Sequence, residues 1–151
     1  CVPYSRGEVR QGDSGSLFTD TRGLKTDERV RMKGLKAEEY RIRKIKLRSD
    51  RDLEILRTIR DATSKEIRVD ANCGWTVKQA LRMLPVLEEF GVTVLEQPLE
   101  PTDLDGLGEI SRHARIPVIA DEICTTVADL PALGGRVDRI NIKPPKRVRP
   151  P

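Results

Sequence analysis

From Tyr40 onward the chain switches repeatedly between two hydrophobic periods. Residues 41–47 (RIRKIKL) alternate polar and apolar positions, as a half-buried strand does. Residues 50–62 then carry Leu53, Leu56 and Ile59 at helical spacing. Residues 66–71 (EIRVDA) read as a strand, and 76–90 place Val77, Ala80, Leu81, Leu84 and Leu87 on one helical face. Thr76 and Gln79 have the spacing of a capping box. Gly91 marks the end of that helix, and Pro85 inside it predicts a kink. The pattern continues with a strand at 92–96, a helix at 103–113 behind Asp103 as N-cap, and a strand at 116–121. A short helix at 126–133 behind Thr126 and a strand at 138–143 complete it. Ahead of Tyr40 the signals are weaker. Residues 1–16 show no periodicity and read as irregular, 17–24 read as a short strand, and 26–39 are helix-like despite Gly34.

Strands that alternate with helices imply a parallel sheet covered by helices, because parallel neighbours need a crossover connection. The expected fold class is therefore α/β, a partial (β/α) TIM-type barrel of about five to six βα units. The expected boundaries are an irregular segment at 1–16, the partial barrel at 17–143 and an extended basic, proline-rich tail at 144–151. A complete eightfold barrel takes about 250 residues, and this chain has 151. The expectation is thus a piece of such a barrel, with sheet edges left open to pair with another chain or a second copy.

Composition narrows the function classes. Aromatic residues make up 3% of the chain, too few for a base-stacking platform, and the net charge of +4 is mild, so no nucleic-acid partner is expected. No run of about 18 apolar residues occurs, and the first residues lack a signal-peptide layout, so neither a membrane span nor export is expected. Cys1, Cys73 and Cys124 are an odd number without a CxxC spacing and read as reduced thiols in a cytoplasmic protein.

Three carboxylates recur at strand ends. Asp70, Glu96 and Asp121 are 26 and 25 residues apart, about one strand-plus-helix unit each time. Taken singly, an acidic residue after a strand is a helix cap or a solvated loop residue. At matched spacing in a parallel barrel, three such groups converge on one mouth, where they repel unless a cation lies between them. Hard oxygen ligands suit Mg2+. Lys44 and Lys46, two apart on one strand, point the same way, and Lys143 ends the last strand in the same sense. The lysine pair has an alternative reading as the solvated face of an edge strand. Pointed into a barrel, lysines need anions or chemistry to do.

These residues carry a resemblance. KIK (44–46), VDAN (69–72), LEQP (95–98), IADE (119–122) and INIK (140–143), in that order and each at a strand end, resemble the enolase superfamily barrel. Within it they resemble the muconate-lactonizing and dipeptide epimerase-like subgroup, which has a lysine on each side of the substrate. The likeness covers residues 40–143. It implies Asp70, Glu96 and Asp121 as ligands of one Mg2+, Lys46 and Lys143 as acid/base groups on opposite faces, and Lys44 as the cationic neighbour of Lys46. It implies supporting roles for Asn72 at the metal shell and Glu122 at Lys143, with Gln97 and Pro98 shaping the loop after their strand. The implied activity is a Mg2+-dependent racemase or epimerase. It would remove the proton alpha to the carboxylate of an amino-acid derivative, a dipeptide, as its small-molecule substrate. A lysine acts as a base only in its amine form, which nearby cations favour, and a metal on the carboxylate stabilises the charge left behind.

The sequence also departs from that pattern. Fewer than 40 residues precede the KIK strand, where the family has a capping domain, and Arg147 and Val148 stand where the family continues with glycines. The alternatives carried forward are a non-catalytic truncated remnant of such an enzyme, and a cycloisomerase or dehydratase of the same superfamily. His113 reads as a solvated helix end, Trp75 as loop packing, and Cys73 and Cys124 as small residues beside the motifs.

Overall fold

The computed structural model describes residues 9–11, 16–19, 41–48 and 51–142. Its elements are β1 (Val9–Gln11), β2 (Ser16–Thr19), β3 (Ile42–Lys46), α1 (Asp52–Ala62), β4 (Glu66–Asp70), α2 (Val77–Glu89) and β5 (Val92–Glu96). They continue with α3 (Leu104–His113), β6 (Val118–Ala120), a 3-10 turn (Val127–Asp129), α4 (Leu130–Leu133) and β7 (Arg139–Ile140). The strands form one sheet in the order β1 to β7. Strands β2 to β7 are parallel, as a partial barrel requires, and β1 pairs antiparallel with β2.

Two expectations are corrected. Val9–Gln11 is a strand inside the segment read as irregular, and it adds an antiparallel edge to a sheet expected to be parallel throughout. Three residues are too few for a periodicity to be visible in sequence, and their pairing with Leu17, Phe18 and Thr19 is what defines them. The helix expected over 126–133 is a 3-10 turn followed by a single α-turn. The Asp129 carboxylate accepts from the backbone N–H groups of Thr125 and Thr126 at 2.9 and 2.7 Å, which tightens the start of that segment. The expected helix over 26–39 lies outside the described residues.

Strand alternation sorts the side chains into two faces. Ile45, Leu47, Ile67, Val69, Leu95, Val118 and Ala120 face the helices, where they meet Leu56 and Ile59 of α1, Ala80, Leu84 and Leu87 of α2, and Leu107 and Ile110 of α3. Each of these side chains is nearly or fully buried. Burying one such aliphatic group contributes about 1.5–3 kcal/mol, so this layer holds the sheet to its helices.

Strand β5 keeps the two faces in phase through an irregularity. Its register against β4 slips between Ile67 and Arg68, so that Val92 pairs with Ile67 and Val94 with Arg68. Thr93 is the extra residue, and its hydroxyl donates to Glu66 Oε1 at 2.9 Å. Val92 and Leu95, three apart, both join the helix-facing core. A regular strand could not do this, because an odd separation would put them on opposite faces. The slip is what turns Glu96 toward the other face.

Helix ends are satisfied as their sequences suggest. Thr76 and Gln79 form the capping box, with Thr76 N–H donating to Gln79 Oε1 at 2.8 Å and Gln79 N–H to Thr76 Oγ1 at 3.3 Å. Helix α2 continues past Pro85 to Glu89 and ends at Gly91, whose φ of 64° a glycine adopts without strain. The Arg60 guanidinium donates to the carbonyls of Phe90, Thr63 and Lys65 at 2.8, 3.2 and 3.0 Å, tying the ends of α1 and α2 together.

After β4 the chain folds tightly over the end of the sheet. Ala71, Cys73 and Trp75 donate their N–H groups to the carbonyls of Glu96, Gln97 and Pro98. The Trp75 indole donates to the buried Asp52 carboxylate at 2.8 Å, which locks this loop to the start of α1. Gly74 passes so close to the chain after β3 that a Cβ there would lie 2.2 Å from Arg48 Cβ and 2.8 Å from the Ala71 carbonyl oxygen. Gly74→Ala is therefore expected to destabilise the protein by about 1–3 kcal/mol through overpacking. Urea unfolding followed by Trp75 fluorescence measures this, and an unchanged midpoint would show that the Arg48 segment yields without cost.

Candidate active site

The second face of the strands, opposite the helices, carries the polar residues. In the pairing register Lys46 lies beside Asp70, Asp70 beside Glu96, and Glu96 beside Ile119. Asp121 follows two residues after Ile119 and so returns to the same face just beyond the end of β6. Lys44, Lys46, Asp70, Glu96 and Asp121 thus gather at the C-terminal ends of adjacent parallel strands, the end at which TIM-type barrels hold their sites.

Lys44 is the centre of this group. Its ammonium donates to Asp70 Oδ2 at 3.1 Å and to Glu96 Oε2 at 2.6 Å, joining three adjacent strands through one cation. Burial opposes its charge, but the Asp70 and Glu96 carboxylates override burial and hold the ammonium above the ordinary lysine range. Glu96 shows the opposite strain. Its burial raises the carboxyl, the charges of Asp70 and Asp121 push the same way, and the pull of Lys44 leaves it above the usual carboxylate range. The Cys73 thiol is pushed up to about 12, first by burial and then by Glu122, Glu100, Asp70 and Asp121. In both groups burial is the largest cause and the neighbouring carboxylates add to it.

Further contacts position these groups. Asn141 donates to Glu96 Oε1 at 2.6 Å, and the Asn72 N–H donates to Asp70 Oδ1 at 3.0 Å. Lys46 Nζ donates to Asn72 Oδ1 at 2.6 Å, and Asn72 Nδ2 donates to Glu122 Oε1. Gln97 is fully buried, with φ of 35°. Its Oε1 accepts from the N–H groups of Asp121 at 2.9 Å and Ile123 at 3.3 Å, and its Nε2 donates to the Leu99 carbonyl at 2.8 Å. That hub fixes the backbone from which the Asp121 side chain departs.

Of the residues singled out in sequence, Lys44, Lys46, Asp70, Asn72, Glu96, Asp121 and Glu122 come together here, and Lys143 lies outside the described residues. Among the described residues no three His, Cys, Asp or Glu side chains stand in ligating geometry, and the Lys44 ammonium links Asp70 to Glu96. Asn141 was not singled out in sequence. Its signal was its position two residues before Lys143 in the strand expected over 138–143. The role of Gln97 as a hub for Asp121 was equally hidden, because its partners lie 24 and 26 residues away.

Known proteins resemble this chain closely. The family model described as "Enolase C-terminal domain-like" matches residues 26–146. An L-Ala-D/L-Glu epimerase of Bacteroides thetaiotaomicron is 40% identical over 127 residues, which cover 83% of this chain and 33% of that protein. An L-Ala-D/L-amino acid epimerase of Maribacter sp. is 39% identical over 109 residues, covering 72% of this chain and 32% of that protein. The crystal structure of a dipeptide epimerase from Cytophaga hutchinsonii, complexed with Mg and the dipeptide D-Ala-L-Val, superposes with a TM-score of 0.68 at 30% identity. It covers 74% of this chain, which covers 32% of that one. The chain spans about a third of the length of these relatives. By the match over residues 26–146, the chain belongs to the enolase C-terminal domain-like family.

Proposed function

We propose that the mouth serves a Mg2+-dependent racemase or epimerase that inverts the carbon alpha to the carboxylate of an amino-acid derivative, with a dipeptide as substrate. The observation that carries this reading is the Lys44 ammonium shared by Asp70 and Glu96, with Lys46 beside them on the same strand face. The dipeptide comes from the relatives, whose names record epimerisation of Ala-containing dipeptides. The free thiols of Cys73 and Cys124 fit a cytoplasmic setting.

The residues suit the metal. Asp70, Glu96 and Asp121 offer hard carboxylate oxygens. They are buried or nearly so at the ends of adjacent parallel strands, where a divalent cation would offset their mutual repulsion. Asp70, Glu96 and Asp121 would hold Mg2+, which when bound supplies positive charge where a substrate carboxylate gains electrons.

The remaining roles belong to the chain. The Lys46 amine takes the α-proton from one face, and the electrons of the broken C–H bond move onto the substrate carboxylate. Lys143 gives a proton to the opposite face, the electrons return to form the new C–H bond, and the centre is inverted. Lys44, fixed by two carboxylates, keeps a positive charge on the strand that carries Lys46 and favours an anionic substrate there. The hydrogen bond from Asn141 restrains Glu96, so that carboxylate does not swing when charge at the mouth changes.

Titration calorimetry with Mg2+ is expected to show binding that disappears when Asp70, Glu96 and Asp121 are all replaced by Ala. Equal heats from parent and triple variant would sink the metal assignment. For the chemistry, the protein with Mg2+ in D2O is given each stereoisomer of an Ala-containing dipeptide, and α-proton exchange is followed by NMR. Lys46→Ala and Lys143→Ala should each abolish net inversion while retaining exchange from one stereoisomer, opposite in the two variants. If Lys143→Ala inverted at the parental rate, the second lysine would not be an acid/base group.

A further inference from the structure

The uncharged Asn72 side chain bridges two charged groups across the mouth. Its Oδ1 accepts from Lys46 Nζ at 2.6 Å, and its Nδ2 donates to Glu122 Oε1. The contacts join residues 26 and 50 positions apart and link the end of β3 to the loop after β6 through the loop after β4. We propose that Asn72, oriented by Glu122, is a positioning residue that fixes the Lys46 Nζ at the mouth. This rests on the reading of Lys46 as an acid/base group.

Elementary hydrogen-bond chemistry fixes the direction of the bridge. A lysine ammonium only donates and an ionised carboxylate only accepts. Turning the Asn72 amide over would set two donors against each other at Lys46 and two acceptors against each other at Glu122. Only the observed orientation satisfies both ends. Donation to a charged acceptor polarises the amide and makes its Oδ1 the stronger acceptor for Lys46.

The backbone suits the task. Asn72 has φ of 49° and Cys73 φ of 61°, in the left-handed region where Asn is better tolerated than most residues. The Asn72 N–H also donates to Asp70 Oδ1 at 3.0 Å, so one residue is anchored to a mouth carboxylate by its backbone and to a lysine by its side chain. A flexible four-carbon lysine gains a fixed position only from contacts at its end. Displacement of a reacting group by about 1 Å can lower a rate by about 100-fold.

The test compares Asn72→Ala, Glu122→Gln and the double variant Asn72→Asp with Glu122→Gln. The double variant exchanges the polarity of the bridge: a carboxylate at 72 accepts from Lys46 and from the new amide at 122. The first readout is the 15N–1H spectrum of lysine ammonium groups in the full chain, with the Lys46 signal assigned through Lys46→Arg. Hydrogen exchange at the Lys46 ammonium should be slow in the parent, about tenfold or more faster in Asn72→Ala, and slow again in the double variant. The second readout is α-proton exchange with Mg2+ and each dipeptide stereoisomer. Asn72→Ala should lower exchange about 100-fold for the stereoisomer served by Lys46 and leave the other within a few-fold. A merely structural role would lower both alike. Unchanged ammonium exchange in Asn72→Ala, or equal loss for both stereoisomers, overturns the proposal. A parent that exchanges neither stereoisomer would overturn the epimerase reading instead, and the ammonium signal would still decide whether Asn72 fixes Lys46.

Discussion

The Lys44 ammonium between Asp70 and Glu96 is the interaction on which the sheet and the mouth both depend. Parallel pairing in register sets two buried carboxylates side by side at the ends of β4 and β5. Unit charges about 4 Å apart interact by about 4 kcal/mol at an effective dielectric of about 20. Two like charges therefore strain the pairing that brings them together. Lys44, one strand away and on the same face, turns that repulsion into a link among three strands. Its partners are what make its own burial tolerable, since a desolvated ammonium without anions would be costly.

Because strand alternation separates the two faces, the packing of the sheet on its helices and the composition of the mouth can change almost independently, apart from the Lys44 link that serves both. Ile45 lies between Lys44 and Lys46, Val69 precedes Asp70, Leu95 precedes Glu96, and Ala120 precedes Asp121. In each case the apolar member is packed against helices and the charged member faces the mouth. The register slip at Thr93 protects this arrangement on β5. Without the extra residue, Leu95 would face the mouth and Glu96 the helices, and one strand would lose its core contact and its carboxylate together.

Much of this was legible in sequence, because both periodicities are local. The alternation over 41–47, the apolar faces of α2 and α3, and the Thr76–Gln79 box each need only a short window, and each reappears in the structure. On α1, Leu56 and Ile59 are buried as expected, but Leu53 is exposed and Ile55 packs on the core in its place. The spacing of Asp70, Glu96 and Asp121 was legible for the same reason, since each repeats one strand-plus-helix unit. What stayed hidden depends on partners far along the chain. Val9–Gln11 is a strand because of its pairing, Thr93 is extra only relative to β4, and Gln97 matters because Asp121 lies against it. Nothing in the sequence around Asp52 reveals that the Trp75 indole meets its carboxylate.

The loops that close over the strand ends complete the logic. Asn72, Cys73 and Gln97 all have positive φ without being glycine, and all three lie at the mouth. Such conformations cost free energy and persist only where surrounding contacts over-determine them. Here those contacts are visible: Cys73 N–H to the Gln97 carbonyl, Asn72 to Lys46, Asp70 and Glu122, and Gln97 to Asp121, Ile123 and Leu99. The strained residues are hydrogen-bonded to one another and to the charged side chains. Relaxing any one of them would therefore release its neighbours as well. The helix-facing core supplies the stability that sustains this strain, and the contacts that sustain it also hold the charged groups at fixed positions.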